Sequence, residues 1–309
     1  MGQVIDRGHL LTEQPNIRSA NLDALPLAQA FDVMNAEDRQ IAEAVAAAKD
    51  AILAAIEVIA TGLRRGGRLL YVGAGTSGRL GVLDAAECPP TFLVDSQMVQ
   101  GILAGGDAAL KRSAEHCEDD PAAGAAEIDR VGAGRDDTIF GITTGGTTPF
   151  VHGALRRGHE RGAATVFFAC VPPEVVSDEA DVSIRVLTGP EVISGSTRLK
   201  AGLATKMTLN MISTLVMVQL GKVYGNLMVD VNARGCAKLT DRALRVTMAA
   251  TALTRQAAGD LLEQADWHVK TAIVMQRLGL SCAEARQRLA AGEGNLRAVL
   301  VGGIRPPCA

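Results

Sequence analysis

Aromatic residues, basic charge and long apolar runs are all scarce in this chain of 309 residues. Aromatics make up 3% and the formal net charge is −3, so no basic field is available to bind nucleic acid or an anionic membrane. The most apolar stretch, residues 203–220, is interrupted by Lys206, Asn210 and Gln219, whose polar groups would be costly in lipid. We therefore predict a buried core helix there, and neither nucleic acid nor membrane as a partner.

Motifs for metal binding and redox chemistry are also missing. The cysteines are dispersed without a CxxC pair, no HExxH motif is present, and no N-terminal signal peptide is visible. This pattern favours reduced thiols, a cytoplasmic location and no metal ion. Cys88 has no histidine at motif spacing, so we expect it to be packed rather than nucleophilic. The cysteines are Cys88, Cys117, Cys170, Cys236, Cys282 and Cys308.

The rest of the composition is that of a globular protein, with 48% hydrophobic and 21% charged residues. Short apolar runs that end at turn residues alternate with helical patterns, which predicts an α/β fold with a doubly wound parallel five-stranded sheet. N-terminal helices and a small C-terminal helical appendage complete the prediction. The predicted strands cover residues 69–72, 99–104, 137–143, 164–169 and 182–187.

Three domains are predicted along the chain. They are an N-terminal arm (1–35), the sheet domain (36–235) and a C-terminal helical region (236–309). Asn35 is a candidate N-cap for a long alanine-rich helix. Another helix is predicted from Asp107 to about Glu118.

The most informative stretch, residues 68–91, is RLLYVGAGTSGRLGVLDAAECPPT. An apolar strand is followed by a glycine turn, and Thr76 or Ser77 is a candidate N-cap for the next helix. The N–H groups at a helix N-terminus attract anions, and glycines let the backbone approach them closely. This arrangement predicts a phosphate site.

Hydroxyl side chains follow three predicted strands, at the strand ends where doubly wound sheets bind ligands. Helix capping alone could explain each loop, but three such loops together favour one anion site. The stretch 73–78 also matches GxGxxG, so a dinucleotide enzyme with Asp95 on the ribose is an alternative. The candidate phosphate-binding residues are Gly75, Thr76, Ser77, Thr143, Thr144, Thr148, Ser194, Ser196, Thr197 and Lys200.

Glu87 is a candidate catalytic acid. It lies towards a helix C-terminus, where the helix dipole disfavours a carboxylate, and the following Pro89 and Pro90 are expected to end the helix. A surface carboxylate is the simpler interpretation, yet an acid held rigidly in an unfavourable position suggests a function. Glu115 and Glu118 lie beside His116 further along, at spacings that do not predict a metal site.

Residues 73–91 closely resemble the signature of the N-acetylmuramic acid 6-phosphate etherase family, which belongs to the sugar isomerase (SIS) domain superfamily. Residues 189–202 and 221–231 support the resemblance, which includes Leu11-Thr-Glu-Gln near the start and spans nearly the whole chain. It implies a lyase that removes the D-lactyl ether from a 6-phosphorylated amino sugar during cell-wall recycling. The products would be N-acetylglucosamine 6-phosphate and D-lactate.

The resemblance places the catalytic glutamate on Glu87 and a second one on Glu118. The family segment EGAED is EHCED here, so the choice between Glu115 and Glu118 stays open. The family loop ASGRTP is TGGTTP at residues 144–149, and the segment 232–239 also departs from the family pattern. These departures leave open which side chains contact phosphate and lactate there.

Chemistry suggests elimination followed by hydration. In the ring-opened sugar the C1 aldehyde acidifies the C2 hydrogen, and the lactyl oxygen on C3 can leave from the β position. Such a path needs a base and an acid but no cofactor, and each role is typically worth about 10²–10⁴ in rate. The family resemblance implies that Glu118 is the base and Glu87 the acid. One of the two carboxyls must be protonated near neutral pH, which burial or the other carboxylate would favour by raising its pKa.

The distance between the predicted phosphate site and Glu87, at opposite ends of the same predicted helix, has a further implication. Thr76 and Glu87 are eleven residues apart, about 16 Å on a continuous helix, which is longer than a hexose phosphate. Either the helix breaks early, or Glu87 serves a phosphate held by another subunit, and we favour the second alternative, a homodimer with its sites at the subunit interface. A non-catalytic sugar-phosphate sensor, like the glucokinase regulatory protein, and an aldose–ketose isomerase are the alternative functions.

Overall fold

The computed structural model describes residues 7–301, so Cys308 lies outside the described residues. Five parallel strands form one sheet with the order β2-β1-β3-β4-β5. All five predicted strands are confirmed. They are β1 (Leu69–Gly73), β2 (Val99–Leu103), β3 (Thr138–Ile142), β4 (Ala164–Ala169) and β5 (Val182–Arg185).

Helices connect and flank these strands. The described residues also contain short 3₁₀ helices at Ile17–Ser19, Leu22–Ala24 and Glu115–Cys117. The α-helices are α1 (Leu27–Asp38), α2 (Ile41–Ala47), α3 (Lys49–Arg64), α4 (Gly75–Phe92), α5 (Ala108–Lys111), α6 (Pro121–Arg130), α7 (Pro149–Glu160), α8 (Lys200–Gln219), α9 (Ala237–Thr251), α10 (Arg255–Gln264), α11 (Val269–Leu278), α12 (Cys282–Ala291) and α13 (Leu296–Val301).

The chain forms two compact units. The first contains the residues up to 86 together with 96–213, and the second contains 87–95 together with the residues from 214 onward. These divisions fall at other positions than the predicted domain boundaries, which stay a prediction.

Helices cover both faces of the sheet in the first unit. On one face, Gly81 of α4 lies against Tyr71, where an added Cβ would be 2.9 Å from the tyrosine Cβ. On the other face, the space beside Gly141 is filled by Val151 and Leu155 of α7. This two-sided arrangement confirms the doubly wound fold.

Two helix predictions are wrong. Asn35 does not cap a long helix but lies inside α1, and the predicted long helix is divided into α1, α2 and α3. The helix predicted from Asp107 to Glu118 ends after one turn at Lys111, since Arg112 is extended. The next helix, α6, begins at Pro121, because the Asp120 carboxylate accepts hydrogen bonds from the first free N–H groups and proline suits the first helical position.

The second unit is helical around its own apolar core, as the predicted appendage requires. Gly279 separates two helices of this unit, because it ends α11 in the left-handed region with φ 65°. Ser281 and Glu284 then form a capping box that starts α12.

The apolar helix α8 is long and apolar enough to cross a membrane by length and composition, and 56% of its most apolar window is buried inside the protein. The buried side chains of this helix include the polar residues Lys200, Thr205, Thr208 and Ser213. Burial at this level agrees with the predicted core helix.

Candidate active site

The strand order places the topological switch point of the sheet, called the β1–β3 crevice below, between β1 and β3. After β1 the chain crosses to β2 on one side, whereas β3, β4 and β5 lie on the other side of β1. The connections that follow β1 and β3 therefore run in opposite directions along the sheet. Gly73 and Ile142, the last residues of the two strands, are paired in register. Two of the three predicted hydroxyl loops therefore begin side by side.

The first loop leads directly into α4. The helix begins at Gly75, so Thr76 and Ser77 lie in its first turn and the predicted N-cap role of either residue is wrong. Gly75 adopts φ 52°, a conformation that glycine tolerates best, and turns the chain from the strand into the helix. The first-turn N–H groups of α4 are consequently available at the strand end, as a phosphate site requires.

Close backbone packing holds this turn in place. A Cβ on Gly78 would lie 2.5 Å from the Gly73 carbonyl oxygen and 2.5 Å from Leu103 Cδ1. Only glycine lets the helix start so near the strand. In a dinucleotide fold the glycines have the same packing role, so this contact by itself does not distinguish the two ligand classes.

The second loop, residues 143–148, is organised by its own hydroxyls. The Thr143 and Thr148 Oγ1 atoms are 2.8 Å apart and share a hydrogen bond, and the Thr148 N–H donates to Thr143 Oγ1 over 3.3 Å. Thr148 is the N-cap residue of α7, but its side chain makes no capping hydrogen bond. Helix capping therefore does not explain this hydroxyl. Thr144 is buried, and its carbonyl accepts from the Cys170 N–H.

The third loop reaches the first one through the start of α8. A Cβ on Gly202 would lie 3.7 Å from the Thr76 methyl carbon, so these two helix starts are neighbours. Ser196 and Thr197 are half-buried and Ser194 is exposed. The structure thus brings the first turns of α4 and α8 together, and the convergence of the hydroxyl side chains on one phosphate stays a prediction.

Lys200 does not extend into the crevice as a free cation. Its side chain is buried, and Nζ donates to Glu37 Oε2 over 2.7 Å and to the Pro190 carbonyl over 3.0 Å. Its predicted contact with phosphate stays a prediction that these contacts do not favour.

The N-terminal segment joins the same edge of the sheet, which sequence reasoning did not find. Leu10 is buried and lies 4.0 Å from a Cβ position on Gly145, and the Gly195 N–H donates to the Thr12 carbonyl over 3.1 Å. The Glu13 carboxylate lies against Gly195, 2.7 Å from where a Cβ would be. The signal available was the family resemblance of Leu11-Thr-Glu-Gln.

Glu118 is tied to the second loop through its backbone. Its carbonyl accepts from the Phe150 N–H over 3.0 Å, in the first turn of α7 and two residues after Thr148. Glu118 itself is half-buried and follows the 3₁₀ helix that contains Glu115. The contact joins the Glu118 backbone to the first turn of α7, two residues after the end of the second loop.

Glu87 lies in the second unit, on the exposed side of α4. The prediction that the prolines end this helix is wrong, because α4 continues through Pro89 and Pro90 to Phe92. The φ of proline fits a helix, and what is lost is the pair of hydrogen bonds that the missing N–H groups would have made. Leu93 then stops the helix with φ 50°.

A second carboxylate of α4, Asp84, was not predicted. It is buried, and it accepts hydrogen bonds from the Tyr71 hydroxyl over 3.0 Å and from Lys206 Nζ over 3.4 Å. Burial raises the pKa of Asp84, and the Lys206 charge partly offsets that effect. These contacts hold α4 against β1 and α8 within the first unit.

Metal chemistry finds no support in the side chains. Among residues 7–301, no group of three or more histidine, cysteine and acidic side chains could hold a metal ion. Cys88 is 2% exposed, in agreement with a packed cysteine.

The chain is similar to a family model, to full-length relatives in sequence and to solved structures in fold. A family model for the glucokinase regulatory protein N-terminal SIS domain matches residues 51–159. The N-acetylmuramic acid 6-phosphate etherase of Trichormus variabilis is 57% identical over 297 residues, 96% of each chain. That of Gloeothece citriformis is 55% identical over 300 residues, 97% of this chain and 98% of the relative. Among solved structures, the phosphoheptose isomerase of Neisseria gonorrhoeae is 18% identical with a TM-score of 0.47, covering 62% of this chain and 98% of that one.

Proposed function

Since the chain belongs to the N-acetylmuramic acid 6-phosphate etherase family, we propose that it cleaves the D-lactyl ether of N-acetylmuramic acid 6-phosphate. The products are N-acetylglucosamine 6-phosphate and D-lactate. The observation that carries the proposal is the meeting of the hydroxyl loops at the β1–β3 crevice, with Glu118 tied to one of them.

The phosphate of the substrate occupies the crevice. First-turn N–H groups of α4 and the hydroxyls of Thr76, Ser77 and Thr148 supply donors, and the helix dipole favours the negative charge. Ser196 and Thr197 add hydroxyls from the loop before α8. A single phosphate monoester suits this set of hydroxyls better than a pyrophosphate, which favours a sugar phosphate over a dinucleotide.

The ether is broken in the ring-opened sugar by elimination. Glu118 takes the C2 proton, the electron pair forms the C2–C3 double bond, and the C3–O bond breaks as Glu87 protonates the departing lactate. Water then adds to C3 and a proton returns to C2, with the two carboxyls exchanging roles. Neither step uses a metal or cofactor, and each acid–base role is worth about 10²–10⁴ in rate.

A sugar-phosphate sensor is the competing function from another class, because the matched SIS model describes a regulatory protein. A sensor needs the phosphate crevice but has no use for acids at the ether oxygen. Purified protein incubated with N-acetylmuramic acid 6-phosphate should release one D-lactate per sugar, measured with D-lactate dehydrogenase. If calorimetry shows binding of the sugar phosphate and no lactate is released, the protein is a sensor and not an etherase.

Glu87 serves a phosphate held by the other subunit of a homodimer. The continuity of α4 from Gly75 to Phe92 supports this arrangement, since the alternative of an early helix break is absent. Exposed apolar side chains on α8, at helical spacing, supply a surface for a second copy. These side chains are Leu203, Met211, Leu215 and Val218, which are 40–44% exposed.

Mixing two inactive variants tests the shared site. A Glu87→Gln chain and a chain with Thr76→Val and Ser77→Ala should each be inactive, and their refolded mixture should regain about a quarter of the activity. That fraction comes from random pairing, in which half of the dimers are mixed and each mixed dimer holds one intact site of two. No recovery in the mixture, with differently tagged chains co-purifying as mixed dimers, would contradict a site built from two chains.

The dispersed cysteines and the sugar-phosphate substrate support a cytoplasmic enzyme of amino sugar catabolism and cell-wall recycling. Fractionation of the source cells, with activity assayed in each fraction, tests the location.

A further inference from the structure

The loop that carries Ser194, Ser196 and Thr197 is closed at its base by two reciprocal contacts. The Glu191 carboxylate accepts from the backbone N–H groups of Lys200 and Ala201, each over 2.9 Å. In the opposite direction, Lys200 Nζ donates to the Pro190 carbonyl over 3.0 Å. Hydrogen bonds therefore join the two ends of residues 190–200. This segment contains the third of the three hydroxyl loops, and it alone is called the hydroxyl loop below.

A buried ion pair fixes the lysine that makes this closure. Lys200 and Glu37 are each 1% exposed at the side chain, with Nζ and Oε2 2.7 Å apart. Asn16 Nδ2 donates to the same Oε2 over 2.8 Å and to the Pro190 carbonyl over 3.3 Å. The partly exposed Arg18 pairs with the other carboxylate oxygen over 2.6 Å. The Glu37 carboxylate thus connects α1, the N-terminal segment and the hydroxyl loop.

The N-terminal segment also holds the middle of the hydroxyl loop. Ser19 Oγ donates to the Val192 carbonyl over 2.8 Å, and the Gly195 N–H donates to the Thr12 carbonyl over 3.1 Å. Backbone atoms of the loop are therefore anchored at residues 190, 192 and 195, immediately before Ser196 and Thr197.

Stability alone does not account for such a pair. Removing two charges from water costs about as much as their attraction returns, and a buried ion pair is often no more stabilising than apolar side chains of equal volume. What the pair does supply is a constraint on position, because moving either charge away would leave the other buried without its partner, which is costly. Burial would raise the pKa of Glu37, but the hydrogen bonds from Lys200 and Asn16 and the neighbouring charges hold it below its ordinary value.

We propose that Lys200 and Glu37 are positioning residues, which hold the hydroxyl loop in its phosphate-binding conformation without contacting the phosphate. Lys200 is enclosed by Glu37 and the Pro190 carbonyl, and the contact with substrate belongs to the hydroxyls of the loop. The inference rests on the proposed function, since the ligand of the loop is the substrate phosphate. It replaces the direct lysine–phosphate contact that the motif suggested.

A double-mutant cycle on phosphate binding separates positioning from contact. The variants are Glu37→Gln, Lys200→Met and the double variant, and the probe is inorganic phosphate titrated by calorimetry. Positioning predicts that each single variant raises the phosphate dissociation constant about tenfold, and that the double variant is no weaker than the weaker single one. With the sugar substrate, KM should rise while kcat stays within about threefold.

Direct contact predicts a different pattern. Lys200→Met would then weaken phosphate binding, whereas Glu37→Gln would leave it unchanged or tighten it by releasing the lysine. That pattern, or equal rises in KM and falls in kcat in both single variants, would overturn the proposal.

Arg68→Met is the matched control for removing a cation from a buried carboxylate. Arg68 pairs with Asp137 over 2.8 Å at the amino end of the sheet, away from the strand ends that carry the crevice. Phosphate affinity in this variant should stay within twofold of wild type even if the melting temperature falls. A tenfold loss there would show that any buried charge deletion weakens phosphate binding, and would overturn the proposal.

Asn16→Ala and Ser19→Ala test the proposal independently if the charge variants do not fold. Each removes neutral donors to the carbonyls of Pro190 or Val192, and each should raise the phosphate dissociation constant several-fold. Wild-type affinity in both folded variants would overturn the proposal. Wild-type protein that neither binds phosphate nor releases lactate would contradict the proposed function itself, whereas wild-type turnover with unaffected variants contradicts only the positioning role.

Discussion

Replacing Gly153 by alanine should destabilise the first unit and displace Glu118. Gly153 lies inside α7, where a Cβ would be 1.9 Å from the Pro121 carbonyl oxygen and 2.8 Å from Pro121 Cα. Both contacts are with backbone, which cannot rotate away as a flexible side chain can. The start of α6 would have to move by at least about 1 Å to reach ordinary contact distances, since real side chains pack without such overlaps.

The magnitude follows from two opposing effects. Alanine favours the helix by about 1 kcal/mol relative to glycine, while overpacking of this severity costs at least the upper end of about 1–3 kcal/mol. The free energy of unfolding therefore falls by about 2 kcal/mol, which for a unit of ~200 residues lowers the melting temperature by about 4–8 °C. Because Pro121 follows Glu118 by three residues, kcat should also fall more than about tenfold at temperatures where the variant is folded.

Melting followed by circular dichroism, with Trp267 fluorescence as a reporter of the second unit, measures the effect. Gly259→Ala in α10 is the matched control, because a Cβ there would meet only Leu244 Cδ2 at an ordinary 3.6 Å. The free energy of unfolding of that variant should rise by up to about 1 kcal/mol, and its activity should stay that of wild type. Wild-type melting and kcat in Gly153→Ala would refute the packing argument and the placement of Glu118 that depends on it.

Three further predictions concern the site. Glu87→Gln and Glu118→Gln should each lower kcat by about 10²–10⁴ with unchanged phosphate affinity, and turnover near the wild-type rate in either would remove that residue from the mechanism. Thr148→Val, which removes the hydroxyl shared with Thr143, should raise KM about five- to tenfold, the value of one lost hydrogen bond; an unchanged KM would exclude that hydroxyl from binding. Because the pKa of Glu37 is lowered on folding, the stability its ionised form contributes is present above its unfolded pKa of about 4.3 and is lost as the pH falls through the lower native value. Urea unfolding between about pH 3 and 6 should therefore show a shallower acid dependence in Glu37→Gln than in wild type, and an equal slope would count against this linkage.

The sheet and its loops were predictable because their signals are local. Apolar runs ending in glycine or threonine mark the strand ends, and parallel pairing brings those ends to one edge whatever the connecting helices do. Gly75 illustrates this, since a glycine between strand and helix could be assigned to a turn before its φ was known.

The features that were not predicted depend either on backbone geometry or on contacts between residues far apart in the sequence. Pro89 and Pro90 were expected to stop α4, yet proline has a helical φ and the helix continues with two hydrogen bonds missing. The pairing of Lys200 with Glu37 was not predicted either, because Glu37 is 163 positions away in the sequence and no local pattern connects the two. Glu13 was not selected, because its approach to Gly195 depends on the packing of the N-terminal segment.

The isotope content of the sugar product tests the central claim most directly. In deuterium oxide the proton that Glu118 removes exchanges with solvent as water enters for the hydration step, so elimination and hydration predict one deuterium at C2 of N-acetylglucosamine 6-phosphate for each D-lactate released, with none in product kept in the same solvent without enzyme. Nuclear magnetic resonance of the product measures it. Release of D-lactate with hydrogen retained at C2 would contradict proton removal at that carbon, and with it the role of Glu118 as the base.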